Sequence, residues 1–346
     1  MPLSISRDRL ESLLAAAAQT RVVAVGDAML DEYLVGDVDR ISPEAPVPVL
    51  RVRERRYALG GAANVAQNVV AIGAECRLVA AIGADAAGRQ LTAMLGEIGV
   101  PDRGLIGVAR PTTRKSRVVA RSQQLVRIDE EDDADLTVAD AARIVAAIED
   151  AIRDADALIL EDYNKGVLIP SVITRAIELA RSQRVPVVVD PKYRHFFAYR
   201  GSTVFKPNRR ELESALGAAV DLEHAEAIPN AIERLGVDHL LLTLGERGMV
   251  LASRGVAPLA VPTVAREVYD VVGAGDTVTA YLAAILGGGG TAAEAAVIAN
   301  YAAGVEVGKL GAATVTPAEV LEAYDHFATE QALPSSDLRA ADVLRA

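Results

Sequence analysis

The stretch DVVGAGDTVTAYL, Asp270 to Leu282, is a poor strand and an unusual helix start. Gly273, Ala274 and Gly275 stand between two aspartates, Asp270 and Asp276, and a small-residue helix is expected over 274–287. Glycines let a backbone approach a ligand closely and let successive N–H groups point the same way. A helix N-terminus adds unpaired donors and partial positive charge. Gly273, Ala274 and Gly275 therefore read as an anion hole. Asp276 has two readings. One is a helix N-cap. The other is a base that accepts a hydroxyl proton while the N–H groups hold a phosphoryl group in transfer.

Outward from this stretch the chain alternates. VVAVGD (22–27), CRLVAAIG (76–83), ALILED (157–162), VPVVVD (185–190) and HLLLTLG (239–245) read as buried strands. Helices are expected over 61–73, 87–99, 137–153, 170–183, 222–235, 274–287, 291–307 and 317–328. This order predicts an α/β fold with a mainly parallel sheet covered on both faces. Asp27, Asp190 and Gly245 close three strands at the edge where such sheets bind ligands. Residues 33–57 and 112–128 break the pattern. Their alternating apolar and charged positions predict a small inserted β-sheet, a lid, with Pro46 and Pro48 on an edge. Residues 1–330 are expected to form one domain, with a loosely held tail over 331–346.

The composition excludes several functions. A net charge of −11 and the absence of Trp argue against a nucleic-acid partner. A small anion needs only local positive charge. The single cysteine, Cys76, permits no disulfide within the chain and fits a reducing, cytoplasmic compartment. The N-terminus carries Asp8 and Glu11 without an apolar core, so no signal peptide is expected. The apolar region 278–307 is broken by Gly287–Gly290 and Glu294, which predicts two buried helices and no membrane span.

Further motifs each have a plain and a functional reading. FKPNRRELE (205–213) sets Asn208 and Glu211 three apart on a first helical turn: a capping pair, or an amide and a carboxylate holding hydrated Mg²⁺ near nucleotide phosphates. TLGERGM (243–249) offers Thr243, Gly245 and Gly248: a strand turn or a nucleotide cradle. LGGAANVA (59–66) offers Gly60, Gly61 and Asn64: tight packing, or a polyol clamp shared with Asp27 and Asp31. The chain has five lysines. Lys165 and Lys192 each follow a strand at the ligand edge. Residues 112–128 carry Arg114, Lys115, Arg117, Arg121 and Arg127 and no acid: a charged edge strand, or a grip on a substrate phosphate. GVEVGKL (304–310) fails as a Walker loop, and GAGDTV (273–278) lacks the third glycine of a dinucleotide fingerprint.

In this order, GGAAN, KPNRRE, TLGERG and DVVGAGDTV together resemble the ribokinase-like (PfkB) family of sugar kinases, over about residues 20–328. The resemblance implies a three-layer α/β/α sandwich and ATP-dependent phosphorylation of a sugar hydroxyl, with a β-lid that often also makes a homodimer. DRISPEAPVPVL (39–50), RVVARSQQLVRID (117–129), EDYNKGVL (161–168) and VVVDPK (187–192) are similar to the family's kinases of D-glycero-β-D-manno-heptose 7-phosphate, which act at the anomeric oxygen. That likeness implies Asp276 as base and Gly273 to Gly275 as anion hole. Asn208, Arg209, Arg210, Glu211, Thr243, Gly245 and Gly248 fall on the nucleotide side, with Mg²⁺ at Asn208 and Glu211. Asp270 falls in a monovalent-cation (K⁺) loop. Asp27, Asp31, Gly60, Gly61, Asn64, Lys115, Arg117, Lys165, Asp190 and Lys192 fall on the sugar-phosphate side. Glu161-Asp162-Tyr163-Asn164 departs from relatives that have Ser and Gly flanking Asp-Tyr. Some relatives add a nucleotidyltransferase domain. No His-x-Gly-His motif is present, so that second activity is expected to be missing. The alternatives are a kinase of another sugar, such as fructose 1-phosphate or ribose, and a non-catalytic nucleotide- or sugar-binding regulator.

Overall fold

The apolar runs form the middle of a nine-stranded sheet in the computed structural model, which describes residues 5–121, 123–220, 227–265 and 268–332. In chain order the strands are β1 (Arg21–Gly26), β2 (Ala28–Ile41), β3 (Pro48–Gly61), β4 (Glu75–Gly83), β5 (Leu105–Val108), β6 (Arg114–Ala120), β7 (Gln123–Glu130), β8 (Ala157–Glu161), β9 (Val187–Asp190), β10 (Val204–Phe205), β11 (His239–Thr243), β12 (Met249–Ser253) and β13 (Val256–Val261). The helices are α1 (Arg7–Ala17), α2 (Ala62–Ile72), α3 (Ala86–Glu97), α4 (Val138–Ala151), α5 (Pro170–Ser182), α6 (Arg209–Leu216), α7 (Ala227–Leu235), α8 (Ala274–Gly287), α9 (Ala292–Glu306) and α10 (Pro317–Ala332).

The large sheet runs β13-β12-β11-β10-β9-β8-β1-β4-β5. It is parallel from β5 to β11 and turns antiparallel at β12 and β13. β1 shows why the runs are continuous. Val22 and Ala24 join one apolar core and Val23 and Val25 the other, so both faces of the strand are covered. Helices α1, α2, α8 and α9 pack on the first face, and α4, α5 and α7 on the second. The result is the expected three-layer α/β/α sandwich. Cys76 is buried within it, and burial pushes its thiol up to about 12. Among the described residues no helix is long and apolar enough to cross a membrane.

The small sheet, β3-β2-β6-β7, is the inserted lid. Its first ribbon is longer than the alternation over 33–57 suggests. β2 starts one residue after β1, and β3 runs on to Gly61. Gly60 and Gly61 therefore end a strand, where the sequence suggests the opening of a helix. β3 is an edge strand, and Pro48 is its first residue, a position that needs no ladder donor. The second ribbon covers 114–130, two residues beyond the expected end. Three short pieces had no clear pattern in the sequence: β5, the two-residue β10, and the β12–β13 hairpin. The positions 222–226 expected to open α7, and the tail from 333 onward, lie outside the described residues; residues 331 and 332 belong to α10.

Candidate active site

The C-terminal edges of β1, β8 and β9, the start of α8 and the lid converge on one place. Gly273 is the N-cap of α8, with φ +99° and no side chain capping the helix. That left-handed geometry suits glycine. The first-turn N–H groups are thus left open, as an anion hole requires. Asp276 lies inside the first turn and does not cap it. Its Oδ2 accepts from Asn64 Nδ2 at 2.6 Å and its Oδ1 from the Tyr163 hydroxyl at 3.0 Å. Burial pushes the Asp276 carboxyl up to about 6 and Asp190 adds to this, while the bonds from Asn64 and Tyr163 and the charge of Lys206 oppose it.

Two other acids share this floor. Asp190 ends β9 and binds Lys206 Nζ at 2.8 Å. Glu161 ends β8, fully buried, and burial with Asp190 and Asp276 nearby raises its carboxyl well above the usual range. A Cβ on Gly275 would lie 3.6 Å from Lys206 Nζ and 3.7 Å from Asp190 Oδ2, so the helix start sits directly over this cluster.

On the KPNRRE side, Asn208 and Glu211 do form a reciprocal capping box, with both bonds at 2.9 Å. The second Glu211 oxygen accepts from Lys192 Nζ at 2.7 Å. Burial works against the Lys192 charge, but Asp190 and Glu211 raise its pKa. Arg209 pairs with Glu213, and Arg210 is exposed. Thr243 N–H donates to Pro207 O at 3.1 Å, which ties the TLGERG turn to this segment, and Gly245 and Gly248 close the turn with positive φ. Asp270 accepts from Val272 N at 3.0 Å and Gly311 N at 3.2 Å, so it bridges the loops before α8 and after α9. Beneath it, Glu306 is buried with neither oxygen hydrogen-bonded, and burial pushes it up to about 8, with Asp270 and Asp276 adding to this.

The remaining residues divide by task. Asp27 accepts from the backbone N–H groups of Tyr163 (2.8 Å), Lys165 (2.9 Å) and Val167 (3.2 Å), which fixes the loop after β8. Lys165 pairs with Glu131 at 2.7 Å. Arg117 binds Asp31 at 2.5 Å and stacks over Tyr33. Lys115, its neighbour but one on β6, makes no ion pair or hydrogen bond through its ammonium among the described residues. It lies over the Tyr163 ring, 5.9 Å from the centroid. Lys192 lies over the same ring at 5.2 Å. Tyr163, Lys206, Glu161 and Glu306 were not singled out as site residues from the sequence. EDYNKG departs from its relatives and Lys206 is one of the five lysines, but nothing local points either toward Asp276.

Residues 19–319 match the model of the pfkB family carbohydrate kinases. The chain belongs to the pfkB family. It is accordingly a sugar kinase, a phosphotransferase with an alcohol group as acceptor, and the family implies ATP and a divalent metal. Among curated relatives it is 46% identical over 318 residues to a bifunctional protein HldE of Rhodospirillum rubrum, covering 91% of this chain and 64% of that protein. It is 45% identical over 322 residues to one of Pelobacter propionicus, covering 92% and 66%. The chain thus spans just under two thirds of the length of these relatives. Among solved structures it is similar in fold to an Arabidopsis thaliana ribokinase complexed with ribose and ATP (TM-score 0.69, 22% identity, 88% of this chain and 98% of that one). It is also similar in fold to the Escherichia coli phosphofructokinase-2 in complex with potassium (TM-score 0.72, 17% identity, 90% and 100%).

Proposed function

We propose that the protein transfers the γ-phosphoryl group of ATP to the anomeric O1 of D-glycero-β-D-manno-heptose 7-phosphate, giving the 1,7-bisphosphate, as a cytoplasmic step in building ADP-heptose for the lipopolysaccharide core. One observation carries the reading. The Tyr163 ring has Asp276 bonded at its hydroxyl and an unpaired lid cation, Lys115, over its face. A sugar lying along this ring can present a hydroxyl to the base and a distant phosphate to the lid. Similarity to the HldE proteins supports the heptose.

Asp276 takes the O1 proton as O1 bonds to phosphorus and the bond from phosphorus to the ADP oxygen breaks. Asn64 and Tyr163 hold the carboxylate in one orientation through this step. The open N–H groups of Gly273, Ala274 and Gly275 receive the negative charge on the phosphoryl oxygens. Lys206 and Lys192 add positive charge on the same side. Asp31, Gly60 and Gly61 border the sugar, with Asp27, Lys165 and Asp190 behind them.

Asn208 and Glu211 supply an amide and a carboxylate beside Thr243, Gly245 and Gly248, and Glu211 already holds one cation, Lys192. That oxygen donor set suits hydrated Mg²⁺ on the nucleotide phosphates, with Arg209 and Arg210 alongside. When bound, Mg²⁺ neutralises charge on those phosphates. The loops bridged by Asp270 suit K⁺. A groove of about 550 Å³ lined by Val264, Tyr269, Gly304 and Phe327 lies next to Asp270 and suits the nucleotide base. The lid exposes Val52, Val126 and Ile128, which favours a homodimer through this sheet; light scattering on the purified chain tests it. The substrate is tested by a kinase screen over a panel of sugars and sugar phosphates, with the product located by phosphorus NMR. Turnover on another sugar alone, such as ribose or fructose 1-phosphate, overturns the heptose.

A further inference from the structure

Asn64 orients Asp276, but an Asn amide is nearly symmetrical in shape, and only its other hydrogen bonds decide which end faces the carboxylate. Turned over, Asn64 would meet the Asp276 carboxylate with its own oxygen and repel it. The residue one turn further along α2 sets the orientation. Asn64 and Asn68 are four apart, so they share one face of the helix. Asn68 is 0% exposed, and the Thr277 hydroxyl of α8 donates to its Oδ1 at 3.0 Å. Its Nδ2 donates to the backbone oxygen of Asn64 at 3.0 Å and lies 3.5 Å from Asn64 Oδ1.

A backbone carbonyl can only accept. It therefore holds Asn68 with its amide nitrogen toward Asn64. That draws Asn64 Oδ1 to the same side and leaves Asn64 Nδ2 for Asp276, at 2.6 Å. Asp276 and Thr277 are adjacent in α8, so Asp276, Asn64, Asn68 and Thr277 close a ring, and all four side chains are buried. Apolar side chains would pack α2 on α8 without dehydrating any polar group. A closed polar ring instead fixes one arrangement.

We propose that Asn68 and Thr277 are positioning residues for catalysis, holding the Asn64 amide with its donor end on Asp276. The proposal rests on Asp276 being the base. The bond from Asn64 also helps to hold the Asp276 carboxyl down against burial. The other titratable groups around that carboxyl are Tyr163 and Glu161 on the β8 side, Asp190 on β9, Lys206 after β10 and Glu306 on α9. Among the described residues, the side chains of Asn68 and Thr277 bond none of them. An Asn64 amide free to turn should let the Asp276 pKa rise, and the acid limb of kcat should move to higher pH.

The test is steady-state kinetics of full-chain variants with ATP and whichever sugar or sugar phosphate of the panel the wild type turns over. Asn68→Leu keeps the branched outline and removes both bonds. It should lower kcat about tenfold or more, with KM for ATP and for the sugar within about two-fold of wild type, because the base is misaimed and the binding groups are untouched. The acid limb of its kcat profile should move up by about half a pH unit or more. Thr277→Val should shift kcat and the limb in the same direction, and Thr277→Ser, which keeps the hydroxyl, should stay near wild type. Should Asn68→Leu fail to fold by circular dichroism, Thr277→Val carries the test. A folded variant with wild-type kcat and an unmoved limb overturns the proposal. So does a loss confined to KM or to the melting temperature, which would make the ring a helix-packing device. Asp276→Asn in the same assay tells the two ideas apart. If it is inactive while Asn68→Leu is normal, the positioning role alone falls. If it retains turnover, the base falls and the positioning role with it.

Discussion

In the lid, Arg114 is paired with Glu130, Arg117 with Asp31 and Arg127 with Asp129. On the floor of the site, Glu161, Asp190 and Asp276 are buried around one bonded lysine, Lys206. In the lid nearly every charge already has its partner. On the floor acids outnumber the bonded cations, and burial raises the Asp276 and Glu161 carboxyls. The difference teaches where to look for function: in the charges the fold leaves over. By that measure Lys115 stands apart in the lid: among the described residues Arg40 and Arg121 are unpaired too, but they are exposed, whereas Lys115 lies against Tyr163 and burial lowers its pKa.

The largest expected effect is on the floor. Asp276→Asn keeps both neighbours within reach but cannot accept a proton, and turnover should fall roughly 10²-fold or more with nucleotide binding nearly intact. Turnover within a few-fold of wild type would mean that the carboxylate is not the base, and the contrast between floor and lid would lose its functional meaning.

Next comes the unpaired lid cation. A charge-assisted hydrogen bond to a substrate phosphate contributes about 1.5–3 kcal/mol. Lys115→Ala should therefore lower kcat/KM for the phosphorylated heptose about 10- to 150-fold. It should barely change the slow reaction with the unphosphorylated sugar, and the melting temperature should hold. Arg117→Ala should differ, because it strips a buried Asp31 of its partner. Its main cost should be stability, roughly 1–3 kcal/mol by denaturant melts. If the two variants behave alike, pairing does not separate working charges from structural ones.

A smaller effect is expected at Glu211, which is capped, paired and still a candidate metal holder. Glu211→Ala should raise the Mg²⁺ concentration needed for half-maximal rate several-fold with little change in the KM for sugar. An unchanged Mg²⁺ titration would leave it a helix cap alone. The smallest effect belongs to the exposed lid pairs. Arg127→Ala should shift stability by no more than about 1 kcal/mol, as exposed ion pairs do. A larger loss would show that lid pairing matters more than its exposure implies.

The sequence made the sandwich legible because strands covered on both faces must be apolar throughout, as β1, β8 and β9 are. It made Asp276 and the glycine-led helix legible because that chemistry is local, held in seven consecutive residues. It could not reveal what depends on distant chain. Asn64 and Asp276 are 212 positions apart, and Tyr163 and Asp276 are 113 apart. Arg117 and Lys115 share a face of β6 only if the ribbon is regular, which the sequence does not fix, and only the pairing with β2 shows that Asp31 engages Arg117. Asp27 looked like a sugar ligand because it ends a strand at the ligand edge. Its oxygens are occupied by backbone donors on a loop more than a hundred residues later. β10 was missed because two residues carry no period.

The joint between β1, β2, β3 and α2 has a consequence for engineering. The lid's first ribbon leaves the sheet after Asp27 and returns at Gly61, and the next residue closes it onto Asp27: Ala62 N–H donates to Asp27 O at 3.0 Å. A Cβ on Gly61, whose φ is +56°, would come within 2.3 Å of that same oxygen. Asn64, which grips Asp276, is three residues further on. The ribbon thus joins the sheet through one narrow socket, and β6 holds it along β2. Chimaeras that exchange residues 28–60 between relatives should swap acceptor preference and keep the chemistry, provided Asp27 and Gly61 stay in place. A graft that crosses Gly61 would move the side chain that aims Asp276, and would trade a change in preference for a loss of catalysis.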